Sequence, residues 1–243
     1  NTNTNTNTNT NTNTNTNTTS TNNSIKNTNT VLRLINKISK NNYVSIKSEI
    51  ICYYNITKTH ELAVNIYNIL SKNLFLSDTY SQLYIDLINI DNNFYKILIN
   101  DFENAVKMLD DIMISDNIND EITVNTNNDK INSKFLFYIN LSKQNVINFD
   151  NIIHLMVTIQ LFLIDKLKTE NYKLSEYISS YILLFINNLY DNIKTHDKYI
   201  CIINNINIIR LYNKDTTDIN YKLFINNKIK FKHYDMYDKL KKI

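Results

Sequence analysis

The sequence predicts an all-α fold, and three observations support this prediction. None of the 243 residues is glycine or proline, so the tight Asn-Gly hairpins of antiparallel sheets are excluded. Apolar residues recur at steps of three and four, which places one apolar stripe along each predicted helix. The strict alternation of a half-buried strand is rare, although the abundant Ile, Tyr and Thr have high β-propensity.

The apolar stripes and the polar clusters between them define the predicted helices in chain order. Three clear stripes are Tyr80, Leu83, Tyr84, Leu87 and Ile88, then Phe94, Ile97, Leu98, Phe102, Ala105, Val106, Leu109 and Ile112, and then Ile178, Tyr181, Ile182, Phe185 and Leu189. Polar clusters separate the helices at residues 41–42, 55–59, 77–78, 91–93, 116–129, 169–171, 195–197 and 213–220. Asn42, Ser77 and Asn92 are predicted N-caps. The pattern indicates a HEAT-like α-solenoid of about five antiparallel helix pairs, and a plain helical bundle is the alternative.

The chain is predicted to contain a disordered segment, residues 1–30, and one HEAT-type domain, residues 31–243. The segment is a near-perfect Asn-Thr repeat, which buries too little apolar surface to offset the entropy of ordering. The remainder is long enough for one sizeable core. The composition, with abundant Asn, Ile, Lys and Tyr and almost no Ala or Arg, is typical of an AT-rich genome. The many asparagines therefore indicate no function.

The composition argues against several classes of catalytic site. Without glycine the chain cannot form a P-loop, a dinucleotide-binding turn or a G-x-S-x-G elbow. The four histidines show no i, i+4 pairing, and Cys52 and Cys201 lack zinc-site spacing. The acidic stretch 116–121 has Ile118 and Glu121 where an EF-hand needs an oxygen ligand and glycine. We therefore expect no enzymatic activity, no bound metal and no cofactor.

No segment of the sequence is expected to enter a membrane. The longest apolar run, Leu155–Ile164, has ten residues and is too short to span a bilayer. No signal-peptide pattern opens the chain, and two distant cysteines are expected to be free thiols in a reducing compartment. We expect a soluble, cytoplasmic protein, and because the first residue is not Met we expect the sequence to be part of a longer one.

The C-terminal end is basic and combines lysines with aromatic residues. The last 23 residues contain seven lysines against Asp235 and Asp238. On the predicted last helix Ile229, Phe231 and Tyr234 are expected to pack inward. A basic helix indicates an acidic partner such as RNA, and a simply solvated lysine-rich helix is the alternative. The predicted RNA-binding residues are Lys228, Lys230, Lys232, Lys239, Lys241 and Lys242.

This C-terminal run resembles the closing helix of the middle domain of eukaryotic translation initiation factor 4 gamma. That helix has the pattern R-I-R-F-M-x-Q-D-V-x-D-L, and residues 228–231 read Lys-Ile-Lys-Phe. Asp235-Met236 matches D-V, and Asp238 with Leu240 approximates D-L.

Earlier segments resemble the same family in the same order. Residues 34–43 are similar to its opening L-N-K-L pattern, and residues 74–87 to its N-F-s-x-x-Y-A segment. Residues 94–103 are similar to F-R-x-L-L with the following helix, and residues 133–147 stand where the family has F-i-g-e-L-f-k. The resemblance covers nearly all of 31–243 and extends to divergent copies carried by large AT-rich DNA viruses, which implies a viral protein. The family's glycine, its paired arginines and its final tryptophan are absent here.

The resemblance implies a non-catalytic scaffold of translation initiation that binds a DEAD-box RNA helicase and mRNA. The positions that match the family's partner contacts are Asn36, Lys37, Lys228, Lys230, Phe231, Asp235 and Met236. The Y-x-x-x-x-L-φ peptide that binds the cap-binding protein does not occur in the sequence, so we expect any such site to lie outside it. The alternatives are another RNA-metabolism scaffold of the same domain class and a nucleic-acid-binding helical module that uses the basic C-terminal helix.

Overall fold

The computed structural model describes residues 16–109, 121–169, 171–213 and 222–241, with side-chain burial given from residue 26 and from residue 125 after the first gap. The predicted all-α fold is confirmed, because these ranges contain the ten helices named below, a further helical stretch at 107–109 and no strand. The helices are α1 (Thr16–Ile35), α2 (Tyr43–Thr57), α3 (His60–Leu70), α4 (Ser77–Ile88), α5 (Asn92–Glu103), α6 (Glu121–Lys143), α7 (Phe149–Lys166), α8 (Tyr172–Lys194), α9 (Tyr199–Arg210) and α10 (Asn227–Lys241).

The chain divides into two compact units, Asn1–Ala63 and Val64–Ile243. This division falls inside α3, whereas the sequence predicts a boundary after residue 30. In the first unit α1 packs on α2, and Val31, Leu34 and Ile35 are buried at the C-terminal end of α1.

Helix α1 begins earlier than the sequence predicts. Residues 16–30 belong to the Asn-Thr segment expected to be disordered, yet in the structure they are helical. Residues 1–15 of that segment lie outside the described residues. Extending an existing helix costs far less than starting one, and the buried end of α1 provides the starting turns. The prediction of disorder considered only the apolar content of the segment and not the helix into which it continues.

The left-handed backbone positions, which usually carry glycine, are occupied by other residues in this chain. Lys58 ends α2 with φ 37° and ψ 54°, and its N–H donates to the Tyr54 carbonyl. Asn145, between α6 and α7, has φ 59°. Asparagine tolerates this region, whereas lysine pays a steric cost at Cβ.

Replacing Lys58 with glycine is expected to raise the free energy of unfolding by about 0.5–1 kcal/mol, because glycine adopts positive φ without that cost. Urea denaturation of the two proteins measures the difference. The matched control is Lys47→Gly inside α2, which should lower stability by about 1 kcal/mol. Equal losses in both variants would show that φ at Lys58 carries no cost.

In the second unit the helices pack mainly on others one or two places away in the chain. Helix α6 contacts α4, α7 and α8, while α8 also contacts α7 and α10. Buried aromatic rings join these helices, with Phe137 edge-on to Tyr84 and Phe135 edge-on to Tyr181. This core positions α8 as the support on which α10 rests.

Polar side chains begin several helices, although at different residues from those predicted. Asp91 caps α5 by accepting the Asn93 N–H at 2.9 Å, so the predicted cap Asn92 is the first helical residue. Ser77 is likewise the first residue of α4 and not its cap. Asn42 precedes α2 as predicted, but its side-chain oxygen accepts hydrogen bonds from Ser39 instead.

The polar cluster at residues 116–129 was predicted to be a break, but α6 begins within it at Glu121. Its first described side chains, Asn125 and Thr126, are exposed, and burial starts at Ile131. A polar stretch can be the solvated first turns of a long helix, which apolar periodicity does not reveal.

A carboxylate links three helices of the second unit. Asp101 on α5 accepts hydrogen bonds from the hydroxyls of Tyr67 on α3 and Tyr138 on α6, and it pairs with Lys134 Nζ at 2.6 Å. Burial first, and then the nearby Asp101 charge, raises the pKa of Tyr138 above its ordinary value. Both tyrosines therefore stay neutral as donors, and the carboxylate is held by three partners.

Candidate functional site

The last helix is held on one side by a stripe of buried residues. Ile229, His233, Met236 and Leu240 are all buried, at the spacing of one helix face. Asn226 starts the helix: its side-chain oxygen accepts the Ile229 N–H at 3.0 Å, and its amide donates to Glu176 on α8 at 2.6 Å. This stripe packs α10 on α8 and α9.

The outer face of α10 carries aromatic residues that were predicted to lie inside. Ile229 is buried as predicted, but the Phe231 side chain is 64% exposed and Tyr234 is 37% exposed. Residues two positions apart on a helix are rotated by about 200° about its axis, so burial of Ile229 directs Phe231 outward. Asp235 is also exposed, whereas Met236 has no exposed surface. Met236 is therefore a core residue and not a surface for a partner. We call the exposed set Lys228, Phe231 and Asp235 the outer ridge.

The structure divides the predicted RNA-binding lysines between two flanks of α10. On the α8 flank Lys228 Nζ lies 3.5 Å from Glu176 Oε2, and Lys232 donates to the Glu176 carbonyl at 2.9 Å. Burial lowers the pKa of Lys232. Lys239 donates to Asn187 at 3.0 Å, also on this flank. Lys242 lies outside the described residues. The five described lysines therefore do not form one surface.

The other flank, against α9, combines cations with aromatic rings. The Arg210 guanidinium lies 3.8 Å from the Tyr237 ring centroid and 5.6 Å from that of Tyr234. Lys241 Nζ lies 5.7 Å from the Tyr237 ring, and Lys230 donates to the Tyr212 carbonyl at 3.2 Å. We call Arg210, Lys230, Tyr234, Tyr237 and Lys241 the α9–α10 seam.

Three members of the seam, Arg210, Tyr234 and Tyr237, were not identified as site residues from the sequence. Part of the signal was available, because Tyr234 and Tyr237 follow Lys230 at the spacing of one helix face. Arg210 could not be found in that way, because only packing of α9 on α10 brings it to these rings.

The predicted partner residues near the start of the chain lie just after α1, in the first unit. Asn36 and Lys37 are both exposed. The Lys37 carbonyl accepts a hydrogen bond from the Asn42 amide at 3.0 Å, which holds the turn before α2.

The described ranges contain neither a metal-binding cluster nor a membrane-spanning helix. No group of three or more His, Cys, Asp or Glu residues there is arranged to hold a metal ion. None of the helices described is long and apolar enough to cross a membrane.

Comparisons of the chain with protein-family models, with curated proteins and with solved structures find no match.

Proposed function

We propose that this chain is a non-catalytic scaffold of translation initiation that binds a DEAD-box RNA helicase and mRNA. The observation that carries the proposal is the outer ridge of α10. Its Lys228, Phe231 and Asp235 stand at positions where the sequence resembles the partner-binding helix of the initiation factor's middle domain. All three side chains are exposed on a helix whose opposite side is buried.

The chemistry of the ridge supports a protein partner. An exposed aromatic ring flanked by one cation and one carboxylate is the composition of a binding hot spot with a polar rim. Asn36 and Lys37 are exposed in the first unit and provide the second contact of the proposal. Lys230 belongs to the α9–α10 seam and Met236 is buried, so neither is part of the proposed helicase contact.

The proposal includes a HEAT-like arrangement of the helices in pairs. Packing of each helix on near neighbours in the chain, as α7 packs on α8 and α9, supports it. In such a solenoid the curvature of successive pairs creates an extended concave binding surface, which suits a protein that holds two partners together.

The test is binding of a purified translation-initiation DEAD-box helicase and stimulation of its RNA-dependent ATPase. We expect the wild-type chain to bind and stimulate, and to hydrolyse no ATP alone. Phe231→Ala should weaken helicase binding about ten-fold or more, since truncated hot-spot residues cost at least about 1–2 kcal/mol.

The matched control is Phe75→Ala, because Phe75 is 96% exposed in the connection before α4 and lies outside the proposed contact. This variant should bind as the wild type does. Absence of helicase binding, equal loss in both variants, or ATP hydrolysis by the chain alone would each contradict the proposal.

A further inference from the structure

The two flanks of α10 differ in charge. On the α8 flank a groove of about 640 Å³ is lined by Asp191, Asp235 and Asp238 together with Lys194 and Lys239, so its charges largely offset one another. Among the described residues the α9–α10 seam contains three cations, Arg210, Lys230 and Lys241, and no carboxylate. Helix α9 has no Asp or Glu, and neither do residues 222–234. Asp238, one turn after Tyr234, borders the seam.

The seam also presents flat surfaces. The Arg210 guanidinium lies over Tyr237, and the neighbouring Tyr234 ring remains 37% exposed. Leu211, directly after Arg210, is 62% exposed and adds apolar surface at the end of α9. Tyrosine rings and guanidinium planes are the side chains on which unpaired bases stack.

We propose that the α9–α10 seam binds single-stranded RNA, with a base stacked on Tyr234 and backbone phosphates at Arg210, Lys230 and Lys241. This inference deepens the proposed function and rests on it in naming mRNA as the partner. It assigns RNA to one flank of α10 and the helicase to the outer ridge. The scaffold can then hold both partners with the same helix.

The observations favour a single strand over the other acidic partners. A duplex hides the faces of its bases, so it could use the cations of the seam but not the Tyr234 ring. An acidic protein surface could pair with the cations but has no base to stack on the Tyr234 ring. Stacking tolerates any base, so no sequence specificity is expected.

The experiment is fluorescence anisotropy with a 5′-labelled oligouridine of 12 nucleotides and an RNA duplex of 12 base pairs, on the whole chain. Tyr234→Ala should weaken oligouridine binding about ten-fold. Lys241→Gln should weaken it several-fold and lower the slope of log K against log salt by about 0.7.

The matched controls lie on the opposite flank of α10, with Lys239 on α10 and Tyr190 on α8. Lys239 Nζ lies 4.9 Å from the Tyr190 ring, as Lys241 lies beside Tyr237. Lys239→Gln and Tyr190→Ala should therefore bind oligouridine as the wild type does. Circular dichroism melts identify any variant that loses its fold. If Tyr234→Ala unfolds, the comparison of Lys241→Gln with Lys239→Gln still tests the proposal.

Three results would overturn the assignment: no oligouridine binding by the wild type, equal losses on both flanks, or equal affinity for the duplex.

The helicase assay separates this inference from the proposed function. Loss of RNA binding in Tyr234→Ala with helicase binding retained supports separate surfaces. Loss of helicase binding in that variant with RNA binding unchanged would show that the seam belongs to the helicase contact instead. If the wild type binds RNA at the seam but no helicase, the proposed function fails while this inference stands.

Discussion

Replacing Asp101 with alanine is expected to lower the free energy of unfolding by about 3 kcal/mol. The carboxylate accepts hydrogen bonds from two buried tyrosine hydroxyls and pairs with Lys134. Its removal leaves these three donors on α3 and α6 without their acceptor, and each unpaired buried group costs about 1–3 kcal/mol. Urea denaturation at neutral pH measures the change.

Two controls separate this network from ordinary effects of substitution. Asp165→Ala removes an exposed carboxylate that pairs with Lys168 three residues on, and it should change stability by less than about 1 kcal/mol. Tyr138→Phe should cost about 1 kcal/mol, whereas Tyr181→Phe should cost almost nothing, because the buried Tyr181 hydroxyl has no hydrogen-bond partner among the described residues. If Asp101→Ala behaves like Asp165→Ala, the network contributes nothing to stability.

The protein is expected to lose about 3 kcal/mol of stability between pH 6.5 and pH 4 through His233 alone. Burial lowers the pKa of His233 to about 4 in the folded chain, from an ordinary value of 6.5. Its Nδ1–H donates to the Ile229 carbonyl at 2.8 Å. Above pH 6.5 the ring is neutral in both the folded and the unfolded chain, so the free energy of unfolding has its full value. Below that pH only the unfolded chain takes up the proton, so stability falls until the folded ring also titrates near pH 4.

The measurement is the difference in unfolding free energy between wild type and His233→Asn, taken across this pH range. Asparagine keeps a donor for the Ile229 carbonyl but does not titrate, so the difference should shrink by about 3 kcal/mol from pH 7 to pH 4. A constant difference for His233→Asn would show that the ring is protonated in the folded chain.

The sequence alone predicted the helical fold because helix periodicity is a local property. Residues three and four apart share a face, so the stripe through Leu83 and Leu87 identifies a helix before any packing is known. The breaks near residues 41–42 and 91–93 were equally visible, because polar side chains satisfy the free backbone groups at helix ends. Cap positions were wrong by one residue at Ser77 and Asn92: Asp91 takes the place of Asn92 as the cap of α5, and the apolar Leu76 precedes α4 without a side-chain cap.

The tertiary structure alone decided which residues of the last helix form a surface. From the sequence, Phe231 and Met236 were both placed among the partner residues, and only the packing of α10 on α8 and α9 shows that Met236 is buried and Phe231 exposed. Arg210 reaches Tyr237 from another helix, and no local pattern contains that contact. The charge of the chain could be counted from its sequence. How that charge is distributed depends on the packing of α10 between α8 and α9. Acidic and basic side chains offset each other in the groove beside Lys239, whereas cations collect in the seam beside Lys241.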